Sequence, residues 1–551
     1  MHVPRRWAYV ASFFLVVGVA SPAGASVHGV DSQASGATSF ATQAYTPLRV
    51  TTAAQVTKDD PSPTRTFSEP YMLVDPSNPK VIMAAAVEMR TGVCYLMRST
   101  DAGKTWHILP ALPGTTSFPQ CFTVNGGQTQ SPMAWGRNNT LYYALLGYDQ
   151  ADGGNGRSGN MSVLLARSTD LGQTFTTTVV DNNRGKTGDN VTQDSPVSTV
   201  AVDTHSGSQD IVYVGWNQSQ PNASSPNSPT LVATSTNGGQ SFTKPVNINT
   251  FNHQTYTDTD GTKYNIGFGT PYLAVGRTGT VYVVATASVP FSVMTFPPLN
   301  LLVGSSTDSA KTWNVHSFDT ASFDLSQPVF ALSTHGASDN LAIVYEDKFG
   351  GQPQGNEDIY FQHSTNGGQT WSSPIRLNDD DTSLQNEHNF PDISIAPNGR
   401  IDVVWYDYRN AANNSNDVYY TYSTDGGATF AANIRITDQS INRSVGPNTN
   451  FDIRIPPGVA SANSYAAIGW TDTRLATDAT QTVDVFGNIV QFKPIATSSS
   501  KALKYLAAGA AGLVVAGALV LVIGFLRRRR VEAPNPPSTP AGRMPEPAGV
   551  S

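Results

Sequence analysis

Along most of the chain, short apolar runs alternate with turns rich in Gly, Asn, Asp, Ser and Thr. The runs at 81–88, 141–149, 211–217, 281–287, 341–348 and 401–409 have strand length, and their apolar content follows no helical period. Turns such as Arg277-Thr278-Gly279 and Pro397-Asn398-Gly399 introduce two of them, as hairpins require. Two segments break this pattern. The apolar run from about residue 10 to 20 follows Arg5 and Arg6 and precedes Ala23-Gly24-Ala25. That order predicts a cleaved export signal over residues 1–25. Residues 505–526 carry no charge, have no polar face and are long enough to cross a bilayer. Arg527 to Arg530 follow directly, which predicts a cytoplasmic C-terminus.

An octet recurs between the apolar runs. It reads Ser99-Thr-Asp-Ala-Gly-Lys-Thr-Trp106, Ser168-Thr-Asp-Leu-Gly-Gln-Thr-Phe175, Ser235-Thr-Asn-Gly-Gly-Gln-Ser-Phe242, Ser306-Thr-Asp-Ser-Ala-Lys-Thr-Trp313, Ser364-Thr-Asn-Gly-Gly-Gln-Thr-Trp371 and Ser423-Thr-Asp-Gly-Gly-Ala-Thr-Phe430. Successive first residues lie 69, 67, 71, 58 and 59 positions apart, a period that points to a repeat architecture. In each octet Asp101, Asp170, Asn237, Asp308, Asn366 or Asp425 is placed to accept from nearby backbone amides. The Gly accepts positive φ, and the closing Trp or Phe pins the turn to the core. Ala310 replaces that Gly in the fourth copy, which predicts strain.

These octets resemble the Asp box, or BNR repeat, of sialidase-like β-propellers. The resemblance covers roughly residues 45–495 and implies that each octet joins strands three and four of a blade. A seventh unit lacks an octet. Its segments 450–453 and 469–474 echo 389–393 and 404–409, and 483–492 supplies a third strand. Residues 47–50 resemble the fourth strands at 374–377 and 433–436, so the mature N-terminus is expected to complete the last blade and remove an open edge. The expected fold is an all-β, seven-bladed propeller plus a C-terminal transmembrane helix. Six blades with an accessory sheet is the alternative. The resulting order is signal 1–25, flexible N-terminus 26–44, propeller 45–495, linker 496–504, membrane helix 505–526 and basic, Pro-rich tail 527–551.

The resemblance places ligands on the face opposite the octets, where strand two ends. Glu88, Arg90, Glu346, Lys348, Asp407, Arg409, Asp472 and Arg474 gather there. Arg90, Arg409 and Arg474, with Glu88 and Lys348, form a candidate carboxylate- or glycan-binding patch. Glu346, Asp407 and Asp472 are the candidate catalytic carboxylates. Glu69, Gln130, Asp194, Glu387 and His388 are candidates for the same mouth. The other reading is that Asp-x-Arg, recurring in blades six and seven, braces one loop per blade. The Phe/Tyr-Arg-Ile-Pro motif of sialidases is absent from its place before the first octet, which reads Glu69-Pro70-Tyr71-Met72; Arg454-Ile455-Pro456 falls after the sixth octet, in strand-one sequence.

Composition narrows the function further. Charged residues make up 14% of the chain against roughly 25% in soluble domains, and the net charge of −7 gives no nucleic-acid footprint. Cys94 and Cys121 form a disulfide or remain free and buried. Asn160, Asn190, Asn217 and Asn442 open glycosylation triplets. No zinc spacing, phosphate loop or nucleophile elbow is present, and the segment 258–261 has calcium-loop lettering without the later Glu, reading as a surface insertion. No cofactor is expected. The expected function is cell-surface recognition of an extracellular glycan or protein, with a sialidase-type exo-glycosidase and an envelope scaffold as alternatives.

Overall fold

The computed structural model describes residues 45–494 apart from 63, 92, 114–119, 122–131, 149–160, 183–198, 218–228, 258, 289–300, 319–328, 334–338, 348–356, 385, 411–413, 447–455 and 478–479. The signal, the 505–526 stretch and the tail lie outside these residues. Among the described residues no helix is long and apolar enough to cross a membrane.

Seven antiparallel sheets form the blades. Blade one runs Phe67–Val74, Ile82–Glu88, Val93–Ser99 and His107–Ile108. Blades two to six repeat the order around second strands Leu141–Tyr148, Ile211–Asn217, Val281–Ser288, Asn340–Asp347 and Ile401–Asp407. Blade seven comprises Gly458–Ala462, Tyr465–Asp472 and Asp484–Pro494, and its outer strand is Tyr45–Val50 from the other end of the chain. The seventh unit is thus a blade of the ring rather than an accessory sheet. Among the described residues blade seven's first strand is Gly458–Ala462, and the 450–453 segment lies outside them. A two-residue turn, Asn463-Ser464, returns the chain directly into Tyr465–Asp472, so pairing falls to the residues just before it. Residues 259–261 belong to a two-stranded excursion, Thr255–Thr257 with Lys263–Asn265, before blade four.

The octets close the hairpin from strand three. In the first, Asp101 Oδ1 accepts from the amides of Lys104 and Thr105 at 3.0 and 2.9 Å, and Ser99 Oγ accepts from the Gly103 amide at 2.9 Å. The Ser-to-amide bond recurs in all six. Gly427, at φ 91°, shows why glycine suits this position, because a Cβ there would stand 2.3 Å from Phe361 of the preceding blade. Ala310 keeps the turn at φ 64°, a conformation that costs an L-residue roughly 1–2 kcal/mol. Its amide still reaches Ser306 Oγ at 3.0 Å.

The core is a succession of apolar clusters between neighbouring blades. Met83, Leu96, Tyr143 and Leu164 join blades one and two, and Tyr420, Ile468, Trp470 and Phe492 join blades six and seven. Cys94 is disulfide-bonded, no free cysteine remains, and the chain contains only two.

Candidate functional site

Strand register defines two ends of the ring. Ile82, the first residue of its strand, pairs with Ser99 of the octet, whereas Glu88, the last, pairs with Phe67 and Val93. The octets and the turns from strand one to strand two therefore share one end. The candidate carboxylates lie at the other.

At that second end the acidic and basic side chains brace one another. Trp405 Nε1 donates to Asp407 Oδ2 at 3.0 Å, and Arg409 donates through Nε to Asp407 Oδ1 at 3.0 Å and through Nη2 to Oδ2 at 2.9 Å. Arg409 also reaches Asp379 at 2.6 Å and Asn433 at 2.9 Å, with its guanidinium 4.3 Å from the Tyr419 ring centroid. Blade seven repeats the device. Trp470 Nε1 and Arg474 Nη2 hold Asp472 at 2.8 and 2.7 Å, while Arg474 grips Asp438 at 2.9 Å and lies over Phe486. The anchoring partners Asp379 and Asp438 each follow the fourth strand of the preceding blade. Each arginine therefore ties its own blade to the incoming chain. Burial lowers the pKa of Arg409, but its bonds to Asp407 and Asp379 outweigh that and raise it above the usual arginine range.

Blade one carries a looser version. Glu88 is buried and accepts from the amides of Thr66 and Thr91 at 3.1 and 2.9 Å. Arg90 donates to the carbonyls of Thr64 and, at 2.6 Å, Thr480 of blade seven. Glu346 accepts from the Phe390 amide at 2.9 Å, linking blades five and six. Lys348, Gln130 and Asp194 lie outside the described residues, as does the side chain of Glu69. Arg90, Arg409 and Arg474 are thus each engaged in bracing contacts, as the Asp-x-Arg recurrence allowed. Asn217 donates its amide to Thr230 Oγ1 at 3.0 Å, while Asn442 is exposed; Asn160 and Asn190 lie outside the described residues.

His388 is buried beside Asp407, with Nδ1 3.0 Å from the Glu357 carbonyl and Nε2 3.2 Å from Asp380 Oδ2 and 3.5 Å from Asp407 Oδ2. Burial of Glu387 next to it, together with Glu357, raises that carboxyl's pKa. Asp358, Asp380 and His388 bring ligand-type atoms within 4.8 Å of one another. Arg376 and Asn378 already pair with both carboxylates, at 2.9 and 3.0 Å from Arg376 and 2.6 and 2.9 Å from Asn378, so the group is a closed ionic network. Burial raises the Asp380 pKa, yet bonds from His388, Asn386 and Asn378 outweigh it and hold the carboxyl well below the carboxylate range.

The ring also encloses a cavity of about 510 Å³, lined by first strands of all seven blades. Its lining includes Leu73, Met133, Val202, Leu273, Ala331, Ile393 and Val459, and reaches Pro79, Pro397 and Asn463 in the turns at the octet end. This is the central channel. Asp392 lines it, accepting from the amides of Val459 and Ile393 at 2.8 and 2.9 Å. Burial pushes its pKa up to about 7 against those two bonds. Tyr71 and Tyr272 occupy the same register as Asp392, since each pairs with the fourth residue of its blade's second strand, Ala85, Val284 and Val404. The buried Tyr272 hydroxyl has no hydrogen-bond partner among the described residues. Burial raises its pKa well above the usual value, with Asp392 and Tyr71 close enough to add to the shift. Sequence reasoning did not single out this trio. The available signal was a carboxylate beside Ile393 and Ile395 in an otherwise apolar strand.

No protein-family model matches the chain, and no curated protein sequence does. Among solved structures it is similar to a Hadza microbial sialidase at 12% identity and a TM-score of 0.40, over 75% of this chain and 73% of that one. An α-L-arabinofuranosidase of Fusarium graminearum gives 12% and 0.41 over 80% and 98%. An ulvan lyase gives 11% and 0.42 over 79% and 95%. At these scores the likenesses carry no argument about activity.

Proposed function

We propose that this chain is an exported, single-pass surface protein of the Asp-box class whose propeller recognises an extracellular glycan or protein through the face opposite the octets. The observation that carries recognition over hydrolysis is the engagement of Asp407 and Asp472. Each has both oxygens held by the Trp and Arg of its own blade. A general acid or base has to meet its substrate within hydrogen-bond reach, and these two are turned to their own blades. The braces stiffen the loops into a platform of fixed shape, which lowers the ordering cost of binding.

The position of the chain ends supports the orientation. Pro494 pairs with Tyr45 at the octet end, and residues 496–504 lead from there to the proposed anchor. Nine residues reach at most about 30 Å, so anchoring by 505–526 keeps the octet end toward the bilayer and presents the opposite face outward. The test pairs a glycan and protein-binding screen of the detergent-solubilised chain with hydrolysis of fluorogenic glycosides, a sialoside included, over a wide pH range. Saturable binding without turnover is the expected result. Turnover that disappears in Asp407→Asn or Asp472→Asn proteins of unchanged fold would replace recognition with the exo-glycosidase reading.

A further inference from the structure

We propose that the central channel is a second binding site, entered from the octet end, for a small organic cation: an alkylammonium whose charged end pairs with Asp392 while its stem lies along the aliphatic wall. Three observations converge. Among the described residues the lining contains two carboxyls, Asp75 and Asp392, and no lysine, arginine or histidine. Asp75 is committed to the turn it caps, holding the Ser77 amide and hydroxyl and the Asn139 amide group. Asp392 is therefore the one channel carboxyl whose charge no described side chain answers, since its bonds come only from backbone amides.

The second observation is an unpartnered hydroxyl at the same level of the ring, packed in the core behind the lining. An ammonium has three N–H donors. Asp392 retains lone pairs beyond the one that each oxygen gives to an amide. The Tyr272 hydroxyl, buried and without a hydrogen-bond partner among the described residues, lies within electrostatic reach of that carboxyl and is the nearest uncommitted acceptor the fold offers to a ligand that reaches past the lining. The third is the wall. Leu73, Val202, Leu273, Ile393 and Val459 can bury methylene groups at about 0.8 kcal/mol each, and about 510 Å³ lies within the range of small-ligand sites. Calcium or magnesium fits less well, because such an ion takes six or more oxygens and these walls are hydrocarbon.

Binding is linked to the proton on Asp392. The Tyr272 hydroxyl of blade four lies within electrostatic reach of Asp392 and of Tyr71 of blade one, and burial raises its pKa well above the usual value, so it keeps its proton through the neutral range. An ammonium favours the carboxylate, so it displaces a proton wherever Asp392 is partly protonated. This site lies apart from the face proposed above for glycan or protein, and either assignment can fail without the other.

The experiment is calorimetric titration of the full chain in detergent micelles with n-butylammonium, and separately with n-butanol, in two buffers of different ionisation enthalpy. Saturable binding of the amine alone is expected, with about half a proton released per ligand at pH 7 and affinity falling between pH 8 and pH 5.5. Asp392→Asn should weaken it about 30-fold or more, the range for breaking a buried charge pair. Tyr272→Phe, which keeps the ring and the packing, should weaken it a few-fold. Equal binding of butanol, unchanged affinity in Asp392→Asn, or no saturable heat with the amine would each overturn the assignment.

Discussion

Replacing Asp392 with Asn changes the pH dependence of stability in a direction the structure fixes. The carboxyl is pushed up from 3.8 to about 7 in the folded chain, so the native state holds its proton more tightly than the unfolded state. For a raised carboxylate the stabilisation is greatest below the unfolded pKa. It falls as pH rises through the interval from 3.8 to about 7, and is gone above it. That interval, at 1.36 kcal/mol per pH unit, is worth about 4 kcal/mol. The Asn variant escapes this loss but incurs another. Asp392 accepts from two amides, one on each oxygen, and an Asn presents one acceptor, leaving its NH₂ against a donor at a cost of roughly 1–3 kcal/mol.

The two stability curves should therefore cross. At pH 8 the variant is expected to be about 1–3 kcal/mol more stable than the parent; at pH 4.5, where the parent has already lost about 1 kcal/mol, the variant should be less stable by up to about 2 kcal/mol. Urea unfolding followed by tryptophan fluorescence, repeated at half-unit steps, measures the difference. Other groups push the parent curve in opposite directions, for instance Asp170 and Asp308, whose octet bonds hold them at about 2. They cancel in the variant-minus-parent difference. A difference curve that stays flat from pH 4.5 to 8 would refute the reasoning.

Three further outcomes are expected. Arg400→Met leaves the fully buried Asp402 without its cationic partner, with only the Tyr420 and Ser461 hydroxyls among the described residues still donating to it, and should cost about 3–5 kcal/mol in the same urea assay; a loss under about 1 kcal/mol would contradict the brace. Asp101→Ala removes the acceptor for the Lys104 and Thr105 amides and the Thr105 hydroxyl and should cost about 1–2 kcal/mol, with proteolytic nicking at that turn as a second readout. Deleting residues 45–50 uncovers the edge of Asp484–Pro494, so size-exclusion chromatography should show association beyond the parent's state.

Legibility in the sequence follows the range of the interactions. Each octet turn was readable because Ser, Asp, Gly and Thr satisfy one another within a few positions, as in Ser99 to Thr105. Ring closure was readable because 47–50 keeps fourth-strand lettering. Gly458–Ala462 in blade seven was not legible because its pairing is set by the two-residue turn at Asn463-Ser464, which has no counterpart in blade six. The Trp-x-Asp-x-Arg braces were half legible. Their internal bonds are local, but the partners of Arg409 lie 30 and 24 positions away at Asp379 and Asn433. The shared level of Tyr71, Tyr272 and Asp392 was not legible, since it arises only once the first strands have closed around the axis.

Closure also explains how six octets serve seven blades. An octet secures its own hairpin and seats an aromatic ring on the blade before it, as Trp371 stacks on Phe318 at 4.3 Å and Phe430 meets Phe361 at 4.9 Å. Blade seven has no octet to place on blade six. Phe492, from its long third strand, supplies the ring instead, 5.0 Å from Tyr422 and 3.9 Å from the Arg400 guanidinium. Arg400 then spends its donors on Asp402 and on the carbonyls of Ala462, Asn463 and Tyr465. One buried cation thus joins blade six to the turn and second strand of blade seven. A buried ion pair is a poor source of net stability but a strong source of register. At the seam where the chain's two ends meet and no octet fixes the alignment, register is what the ring lacks.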